Sequence, residues 1–261
     1  MEYFEYSSDK NYAIDPSLDK VDWVDGEAVP VESRVHLGYA ADPQAYLQSG
    51  NRDVELMISI IKDNGITIPQ NAQCLDFGCG GGRMLRWLPS KIMQGTFWGC
   101  DTETKAITWA QNNLNSNLRL FTNLREPHLP FDDGTFDFIY AGSVFSHIND
   151  MAEFWMLELR RIIKVDSGLL YLTFQDENSL DVIKRQQTEA TRNYYNSLFN
   201  KGNMAEFLTD SYKKIVIGKY DYSSQVFYRT EWLENLLKRF FSDVKLVPMG
   251  YGWQTAAILS K

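Results

Sequence analysis

Residues 73–86 are Gln-Cys-Leu-Asp-Phe-Gly-Cys-Gly-Gly-Gly-Arg-Met-Leu-Arg, a short apolar run that leads into a glycine-rich loop. Apolar residues at helical spacing follow, so the stretch predicts a strand, a tight turn and a helix that begins at Gly81 or Gly82. Gly78 and Gly80 let the backbone approach a ligand where a Cβ atom would collide. The first N–H groups of such a helix are open to a carboxylate or a phosphate. This combination predicts the first half of a nucleotide-binding βαβ unit.

Two acidic residues accompany this loop. Asp76 stands two residues before the first glycine, and Asp101 ends the next predicted strand, 95–101, where a carboxylate can accept from two ribose hydroxyls. A dinucleotide-binding loop has the spacing G-x-G-x-x-G, but Arg83 occupies the third glycine position here. Asp76 would repel a pyrophosphate, whereas it can hold the amino group of an amino-acid-bearing nucleoside. The pattern D-x-G-x-G-x-G therefore favours S-adenosylmethionine (SAM) over NAD.

The chain resembles class I SAM-dependent methyltransferases, in particular bacterial methyltransferase-domain proteins. The segments that carry the resemblance are Leu75–Arg83, Asn123 with Leu129–Phe131, Phe136–His147, Glu158–Lys164 and Gly252–Leu259. Together these segments show that the resemblance covers roughly residues 35–175 and 228–261. Strands that alternate with helices agree with the resemblance in predicting an α/β fold with a doubly wound, mostly parallel seven-stranded sheet and a lid insertion. The tight Met-Gly-Tyr-Gly connection at 249–252 predicts a hairpin, so the last strand should be antiparallel.

The resemblance also implies a set of cofactor-binding positions. They are Asp76, Gly78, Cys79, Gly80, Asp101, Thr102, Asn123, Leu124, Ala141, Gly142 and Ser143. The glycine loop would line the methionine and ribose of SAM, with Asp101 on the ribose. Asn123 and Leu124 would lie at the adenine, and 141–143 would border the sulfonium. For Arg83, contact with the cofactor and simple packing or pairing both remain open.

Hydrophobic periodicity predicts the remaining elements and four regions. The predicted helices are 53–64, 104–114, 150–164, 179–199 and 230–241, the last with Thr230 as its N-cap, and the predicted strands are 118–122, 136–141, 169–174, 244–248 and 254–259. We expect an N-terminal arm or cap at 1–52, irregular over residues 1 to about 34, and a SAM-binding core at 53–175. A lid that shapes the acceptor pocket is expected at 176–229, and completion of the core at 230–261. A solvated insertion without substrate contact is the alternative for 176–229.

The segment after the fourth strand of the core bears on the acceptor. Methyltransferases of exocyclic base amines and glutamine amides resemble one another in carrying Asn/Asp-Pro-Pro-aromatic there, but this chain has Ala141-Gly142-Ser143-Val144. This difference argues against that chemistry, and we expect a small-molecule or carrier-linked hydroxyl acceptor. The resemblance to the bacterial subgroup implies a sugar or glycan intermediate as the first choice. His147 is the candidate general base, because imidazole titrates near neutral pH. A structural role beside the following helix is the alternative for His147.

Composition sets further expectations. The 261 residues are 44% hydrophobic and carry a net charge of −8, so the basic surface of a nucleic-acid-binding protein is not expected. Three cysteines without a disulfide framework, and no apparent signal peptide or membrane span, predict a cytoplasmic protein. No His/Cys pair has metal-ligand spacing, and His36 and His128 are expected to be structural or loop residues. A non-catalytic SAM-binding protein and an NAD(P)-type oxidoreductase are the alternative functions, and the oligomeric state is not predicted.

Overall fold

In this computed structural model, residues 20–31, 42–148, 151–186 and 225–261 are described, with the backbone of 214–217 and the single residues Glu189 and Asn193. The strands are β1 (Val21–Val24), β2 (Glu27–Pro30), β3 (Gln73–Phe77), β4 (Thr96–Asp101), β5 (Leu118–Thr122), β6 (Phe138–Ala141), β7 (Leu169–Phe174), β8 (Lys214–Ile217), β9 (Gln225–Tyr228), β10 (Asp243–Tyr251) and β11 (Gln254–Ser260). The helices are α1 (Pro43–Asp63), the 3-10 helix η1 (Leu85–Ser90), α2 (Thr104–Asn113), α3 (Ala152–Ile162), α4 (Glu177–Gln186) and α5 (Thr230–Phe240).

Seven of these strands form one sheet in the order β10–β11–β7–β6–β3–β4–β5. The pairs β3–β4, β4–β5 and β6–β7 are parallel, whereas β11 runs antiparallel to both β7 and β10. Every residue of β6 and β7 is buried, as expected for parallel strands with both faces covered. The predicted mostly parallel sheet with an antiparallel last strand is confirmed.

Contacts group the chain into two compact units, Met1–Ile58 with Ile68–Arg125 and Ser59–Thr67 with Glu126–Lys261. In the first unit, Gly99 of β4 lets η1 lie directly on the sheet. A Cβ atom at Gly99 would come within 2.6 Å of Leu85 Cδ2 and within 2.9 Å of Cys79 Sγ. The glycine loop that follows β3 is therefore packed against the neighbouring strand.

Turns and a 3-10 helix follow the glycine loop, so the predicted α-helix from Gly81 or Gly82 is wrong. Gly82 has a φ of +75°, a left-handed conformation that an α-helix cannot include, and residues 80–84 form consecutive turns. The helix that begins at Leu85 also contains Pro89, which lacks an N–H group for a longer ladder. The stretch 80–90 therefore holds no α-helical N-terminus of the kind that the sequence predicted.

Residues 21–30 have more regular structure than predicted. Residues 21–30 form an antiparallel hairpin where an irregular arm was expected, and the turn uses Asp25 and Gly26 at positive φ. Helix α1 begins at Pro43, ten residues before the predicted start at Asp53. Asp42 Oδ1 accepts a hydrogen bond of 3.0 Å from the N–H of Ala45, which is an N-cap, and proline is favoured at the first helical position. The Asp-Pro pair was thus the sequence signal for this helix.

In the second unit, the ends of the predicted lid are joined by hydrogen bonds. The carbonyl of Gln175 accepts from the N–H of Tyr228 at 2.8 Å, and Glu177 Oε2 accepts from the N–H of Thr230 at 2.7 Å. Thr230 is the first residue of α5 and not its N-cap, because its hydroxyl donates to Glu177. Within the lid, α4 ends at Gln186. The rest of the predicted helix to Phe199 lies outside the described residues, apart from Glu189 and Asn193. Other parts of the predicted lid, namely Met204–Leu208 and the tyrosines Tyr212, Tyr220 and Tyr222, also lie outside the described residues.

Candidate cofactor-binding site

Asp101, at the end of β4, is hydrogen-bonded to the glycine loop. Its Oδ2 accepts from the N–H of Gly80 at 2.8 Å, and its Oδ1 accepts from the N–H of Glu103 at 2.9 Å. Burial raises the pKa of the Asp101 carboxyl, while these backbone hydrogen bonds oppose the rise. A carboxylate offers about four acceptor sites, and the backbone N–H groups of Gly80, Thr102 and Glu103 do not fill all of them. Two such oxygens at a strand end match the paired hydroxyls of a ribose.

The backbone N–H groups of the loop are largely occupied by hydrogen bonds within the protein, most of them to β4. Those of Gly78 and Cys79 both donate to the carbonyl of Cys100, at 2.8 and 3.0 Å, and that of Gly82 donates to the carbonyl of Cys79 at 2.9 Å. The loop is thereby fixed before any ligand arrives. The loop can therefore contribute to binding by letting a ligand come close to a fixed backbone, rather than by donating hydrogen bonds from free N–H groups.

Gly80 provides the space for that approach. It has a φ of +52°, and a Cβ atom added there would meet nothing within 4 Å, so the loop is open on that side. Asp76 is buried at 4% exposure beneath the loop. Burial raises the pKa of the Cys79 thiol, and the nearby carboxylates of Asp76 and Asp101 raise it further, so this thiol stays protonated. Cys79 is thus a packing residue of the loop and not a nucleophile.

The predicted adenine position follows β5. The N–H of Asn123 donates to the carbonyl of Asp101 at 3.1 Å, and Asn123 Nδ2 donates to the carbonyl of Leu124 at 2.7 Å. Asn123 is buried, and its Oδ1 atom has no hydrogen-bond partner among the described residues. Leu124 is 62% exposed, and Thr102 is also exposed. Asn123 therefore has a side-chain oxygen available as an acceptor, and its backbone N–H is hydrogen-bonded to Asp101 at the end of β4.

Arg83 holds the glycine loop against α1. Its guanidinium donates to Asp53 Oδ2 at 2.8 Å and to Ser49 Oγ at 3.0 Å, and both partners lie on α1. Gly50 makes this approach possible, because a Cβ atom there would lie 2.1 Å from the carbonyl oxygen of Arg83. Sequence reasoning missed Ser49, Gly50 and Asp53, because their link to the loop spans about thirty residues and carries no local pattern. Two roles were left open for Arg83, and these contacts support packing and pairing rather than contact with the cofactor.

In the second unit, a turn follows β6 and contains Gly142, Ser143 and His147. The N–H of His147 donates to the carbonyl of Val144 at 2.9 Å, and the His147 side chain is half-buried. The carbonyl of Ser146 accepts from the N–H of Val226 in β9 at 2.8 Å, so the end of the predicted lid is bonded to this turn. Contact of Ala141–Ser143 with SAM and a catalytic role for His147 stay predictions.

Two of the three histidines lie within the described residues. His128 is a loop residue as predicted, with a side chain 78% exposed and Nδ1 at 3.8 Å from Glu158 Oε1. His36 lies outside the described residues, as do Asn149 and Asp150. No group of three or more His, Cys, Asp or Glu side chains in the described part of the chain is arranged to hold a metal ion. None of the described helices is long and apolar enough to cross a membrane.

Comparison with known proteins identifies the domain that contains this loop. Residues 75–172, which begin in β3 and end in β7, match the family model of the methyltransferase domain. The chain carries a class I SAM-dependent methyltransferase domain. The sheet described above is the fold of this class, and SAM rather than NAD is the cofactor of the methyltransferase. Binding of the SAM ribose by Asp101 beside Gly80 stays a prediction.

Solved structures with the same fold include two enzymes named for methyl transfer. A SAM-dependent methyltransferase from Aquifex aeolicus is 16% identical, with 87% of this chain and 97% of that chain covered and a TM-score of 0.53. The magnesium protoporphyrin IX methyltransferase of Synechocystis PCC 6803, solved with bound S-adenosylhomocysteine (SAH), is 14% identical, with coverages of 84% and 87% and a TM-score of 0.51. At these identities the likeness is one of fold, and it carries no information on the acceptor.

Proposed function

We propose that this methyltransferase transfers the methyl group of SAM to a hydroxyl of a small-molecule or carrier-linked acceptor, with a sugar or glycan intermediate as the first candidate. The observation that carries the proposal is the hydrogen bond between Ser146 and Val226 at 2.8 Å. It bonds the lid end β9 to the turn that presents His147, so the same element can shape the acceptor pocket and support a base.

The proposal assigns the cofactor to named residues. Asp101 accepts from the ribose hydroxyls, Asp76 acts on the amino group directly or through water, and Gly80 gives the space for close approach. Asn123 Oδ1 is the acceptor offered to the adenine amino group. Sequence resemblance assigns Ala141, Gly142 and Ser143 to the sulfonium end, with Gly78, Cys79, Thr102 and Leu124 completing the set.

The reaction in this proposal is an in-line displacement. SAM supplies an electrophilic methyl group on a sulfonium, and the acceptor oxygen forms a bond to that carbon as the bond to sulfur breaks. Most of the acceleration comes from alignment of the acceptor and exclusion of water. His147 takes the hydroxyl proton and later releases it to solvent, which contributes about 10²–10⁴-fold. The products are a methyl ether and SAH.

The turn that carries His147 is supported from the lid side by a second residue. The hydroxyl of Tyr228 lies 3.5 Å from the carbonyl oxygen of Phe145 and 3.4 Å from that of Ile148. Burial raises the pKa of Tyr228, with a smaller effect from Glu153, so this hydroxyl stays protonated and can only donate to those carbonyls. The residues on both sides of His147 are thereby held by β9.

A matched pair of histidine variants tests the proposal. SAH formation is measured with a panel of hydroxyl acceptors, namely simple sugars and their glycosides, beside the corresponding amino sugars. His147→Ala should cut turnover with the hydroxyl acceptors by at least about tenfold while the SAM dissociation constant stays unchanged. His128→Ala, whose side chain is 78% exposed, is the control and should behave as wild type. Turnover with amines alone would refute the hydroxyl chemistry, and an unchanged rate in His147→Ala would refute the role of His147 as the base.

The same assay addresses the non-catalytic alternative. A SAM-binding protein without activity would bind SAM and SAH with normal affinity and would form no SAH with any acceptor of the panel. A wild-type protein that binds SAM and converts at least one hydroxyl acceptor would remove that alternative.

A further inference from the structure

Ser143 has a backbone conformation that its own side chain does not favour. It follows β6 directly and has a φ of +62°, in the left-handed region that residues with a Cβ atom rarely adopt. A non-glycine residue persists there when its surroundings determine the conformation. The contacts of Ser143 therefore decide the shape of the turn that leads to His147.

A closed ring of hydrogen bonds begins and ends at Ser143. Its N–H donates to Thr173 Oγ1 at 2.7 Å, and Thr173 Oγ1 lies 2.7 Å from Gln254 Oε1. Gln254 Nε2 returns to Ser143 Oγ at 2.8 Å. The ring thus links β6 to β7 and β11, and all of its members belong to the second unit.

The donor inventory constrains the directions of the hydrogen bonds in the ring. Thr173 Oγ1 accepts from Ser143, and its single hydrogen has two acceptors within reach, Gln254 Oε1 at 2.7 Å and the carbonyl oxygen of Ala141 at 3.3 Å. The shorter hydrogen bond goes to Gln254 Oε1, which turns the NH₂ group of Gln254 toward Ser143 Oγ. Ser143 Oγ also lies 3.1 Å from Ser146 Oγ, and either hydroxyl can donate. Loss of Gln254 or Thr173 therefore opens the ring.

The ring lies in a buried environment. Thr173 and Ser146 have no exposed surface, and Gln254 is 4% exposed. A buried polar network that is fully satisfied gives a single well-defined geometry, whereas loss of one member leaves its partners unpaired. The position of the turn therefore depends on Gln254, although Gln254 lies 111 residues from Ser143 in the sequence.

We propose that Gln254 is a positioning residue, which acts through Thr173 and Ser143 to set the turn Ala141–His147 for the cofactor. The inference rests on the proposed function, which assigns 141–143 to the methyl end of SAM and His147 to the acceptor proton. Gln254 itself need not touch either ligand.

Four variants of the full chain test this role. Gln254→Leu and Thr173→Val each break the ring while they keep side-chain volume close to that of the native residue. Gln254→Glu keeps the ring, because a carboxylate accepts from the hydroxyls of both Thr173 and Ser143. Thr255→Val is the matched control: Thr255 is fully buried in the same strand, and its hydroxyl has no hydrogen-bond partner among the described residues.

Two readouts are needed, with SAM and SAH as the probes. Amide hydrogen exchange at Ser143 should become about tenfold faster in Gln254→Leu and Thr173→Val than in wild type. The dissociation constant for SAM, measured by calorimetry, should rise about tenfold in the same two variants. Gln254→Glu should stay within about threefold of wild type in both readouts, and Thr255→Val should not differ from wild type.

The outcomes separate this inference from the proposed function. Faster exchange with unchanged SAM and SAH affinity would overturn the positioning role, because the turn would have moved without consequence. Equal loss of affinity in Thr255→Val would overturn it as well, since any buried change in β11 would then suffice. A wild-type protein that does not bind SAM would contradict the proposed function instead, whereas the exchange data would still report on the ring.

Discussion

The Oδ2 atom of Asp101 accepts a hydrogen bond of 2.8 Å from the backbone N–H of Gly80. One carboxylate therefore fixes the glycine loop and presents its remaining acceptor sites at the end of β4. Loop and acid act as a single unit, because a change in either alters both the shape of the site and its charge.

Replacement of Asp101 by Asn should weaken binding of SAM and SAH while the fold is kept. The amide oxygen of Asn can still accept from Gly80, but the charge that strengthens hydrogen bonds from the ribose hydroxyls is lost. A hydrogen bond to a charged group contributes about 1.5–3 kcal/mol, which corresponds to roughly a 10- to 100-fold rise in the dissociation constant. Isothermal titration calorimetry measures it, with the exposed Asp132→Asn as control.

The affinity for SAM should also depend on pH through Asp101. Burial raises the pKa of this carboxyl above the ordinary value of 3.8, so protonation begins at a higher pH than for an exposed aspartate. The protonated form loses an acceptor for the ribose, and SAM affinity should fall as the pH drops through the raised pKa. Calorimetry over a pH series should show this fall in wild type and a flat profile in Asp101→Asn.

The contribution of Asp101 to the free energy of unfolding should depend on pH with the opposite sign to its effect on SAM affinity. Because the pKa of Asp101 is raised on folding, its protonated form favours the folded state, fully below pH 3.8. That contribution is lost as the pH rises through the raised pKa. Urea unfolding at a series of pH values should therefore give a difference between wild type and Asp101→Asn that changes across this window. A constant difference would contradict the raised pKa.

Two glycines with the same backbone strain separate binding from stability. Gly80 and Gly26 have φ values of +52° and +83°, and a Cβ atom would meet nothing within 4 Å at either position. Alanine at either one should cost about 1 kcal/mol of unfolding free energy. Only Gly80→Ala should also raise the SAM dissociation constant, by about tenfold, because its methyl group enters the open side of the loop. Equal SAM affinity in the two variants would show that the cofactor does not approach Gly80.

The ion pair between Arg83 and Asp53 should support stability rather than catalysis. The two side chains are only 9% and 12% exposed, and removal of one partner leaves a buried charge. Asp53→Ala should lower the free energy of unfolding by about 3–5 kcal/mol in urea titrations. On the same helix, Glu55 pairs with Lys91 at 2.8 Å but is half exposed, and Glu55→Ala should leave stability close to that of wild type. Similar losses in both variants would argue against a special role for the Arg83 pair.

Local patterns were sufficient to predict the sheet. The bounds of β5 and β7 agree with prediction to the residue, and those of β4 and β11 agree to within one residue, because buried strands give continuous apolar runs. Strand β10 is longer than predicted, Asp243–Tyr251 in place of 244–248. Helix α1 was misplaced because the polar stretch 48–52, which includes Gly50, separates its first turn from the apolar face that begins at Val54. The helix after the glycine loop was wrong because periodicity cannot report the positive φ of Gly82.

The candidate site was predictable to the extent that its residues are neighbours in sequence. Asp76, Gly80 and Asp101 come from one βαβ unit, so spacing alone brings them together. Gln254 and Thr173 lie on β11 and β7, and Ser143 follows β6, so the three residues are far apart in the sequence. None of them has a motif around it that points to the other two. Such a ring is visible only once the strand order β11–β7–β6 is known.

Calorimetric titration of the wild-type protein with SAM, SAH and NADH, in parallel, tests the central claim most directly. We predict that SAM and SAH each bind to one site and that NADH does not bind. With free SAM at about 100 times its dissociation constant, the free energy of unfolding should rise by about 2.7 kcal/mol. Binding of NADH, or a folded protein that binds neither SAM nor SAH, would contradict the account.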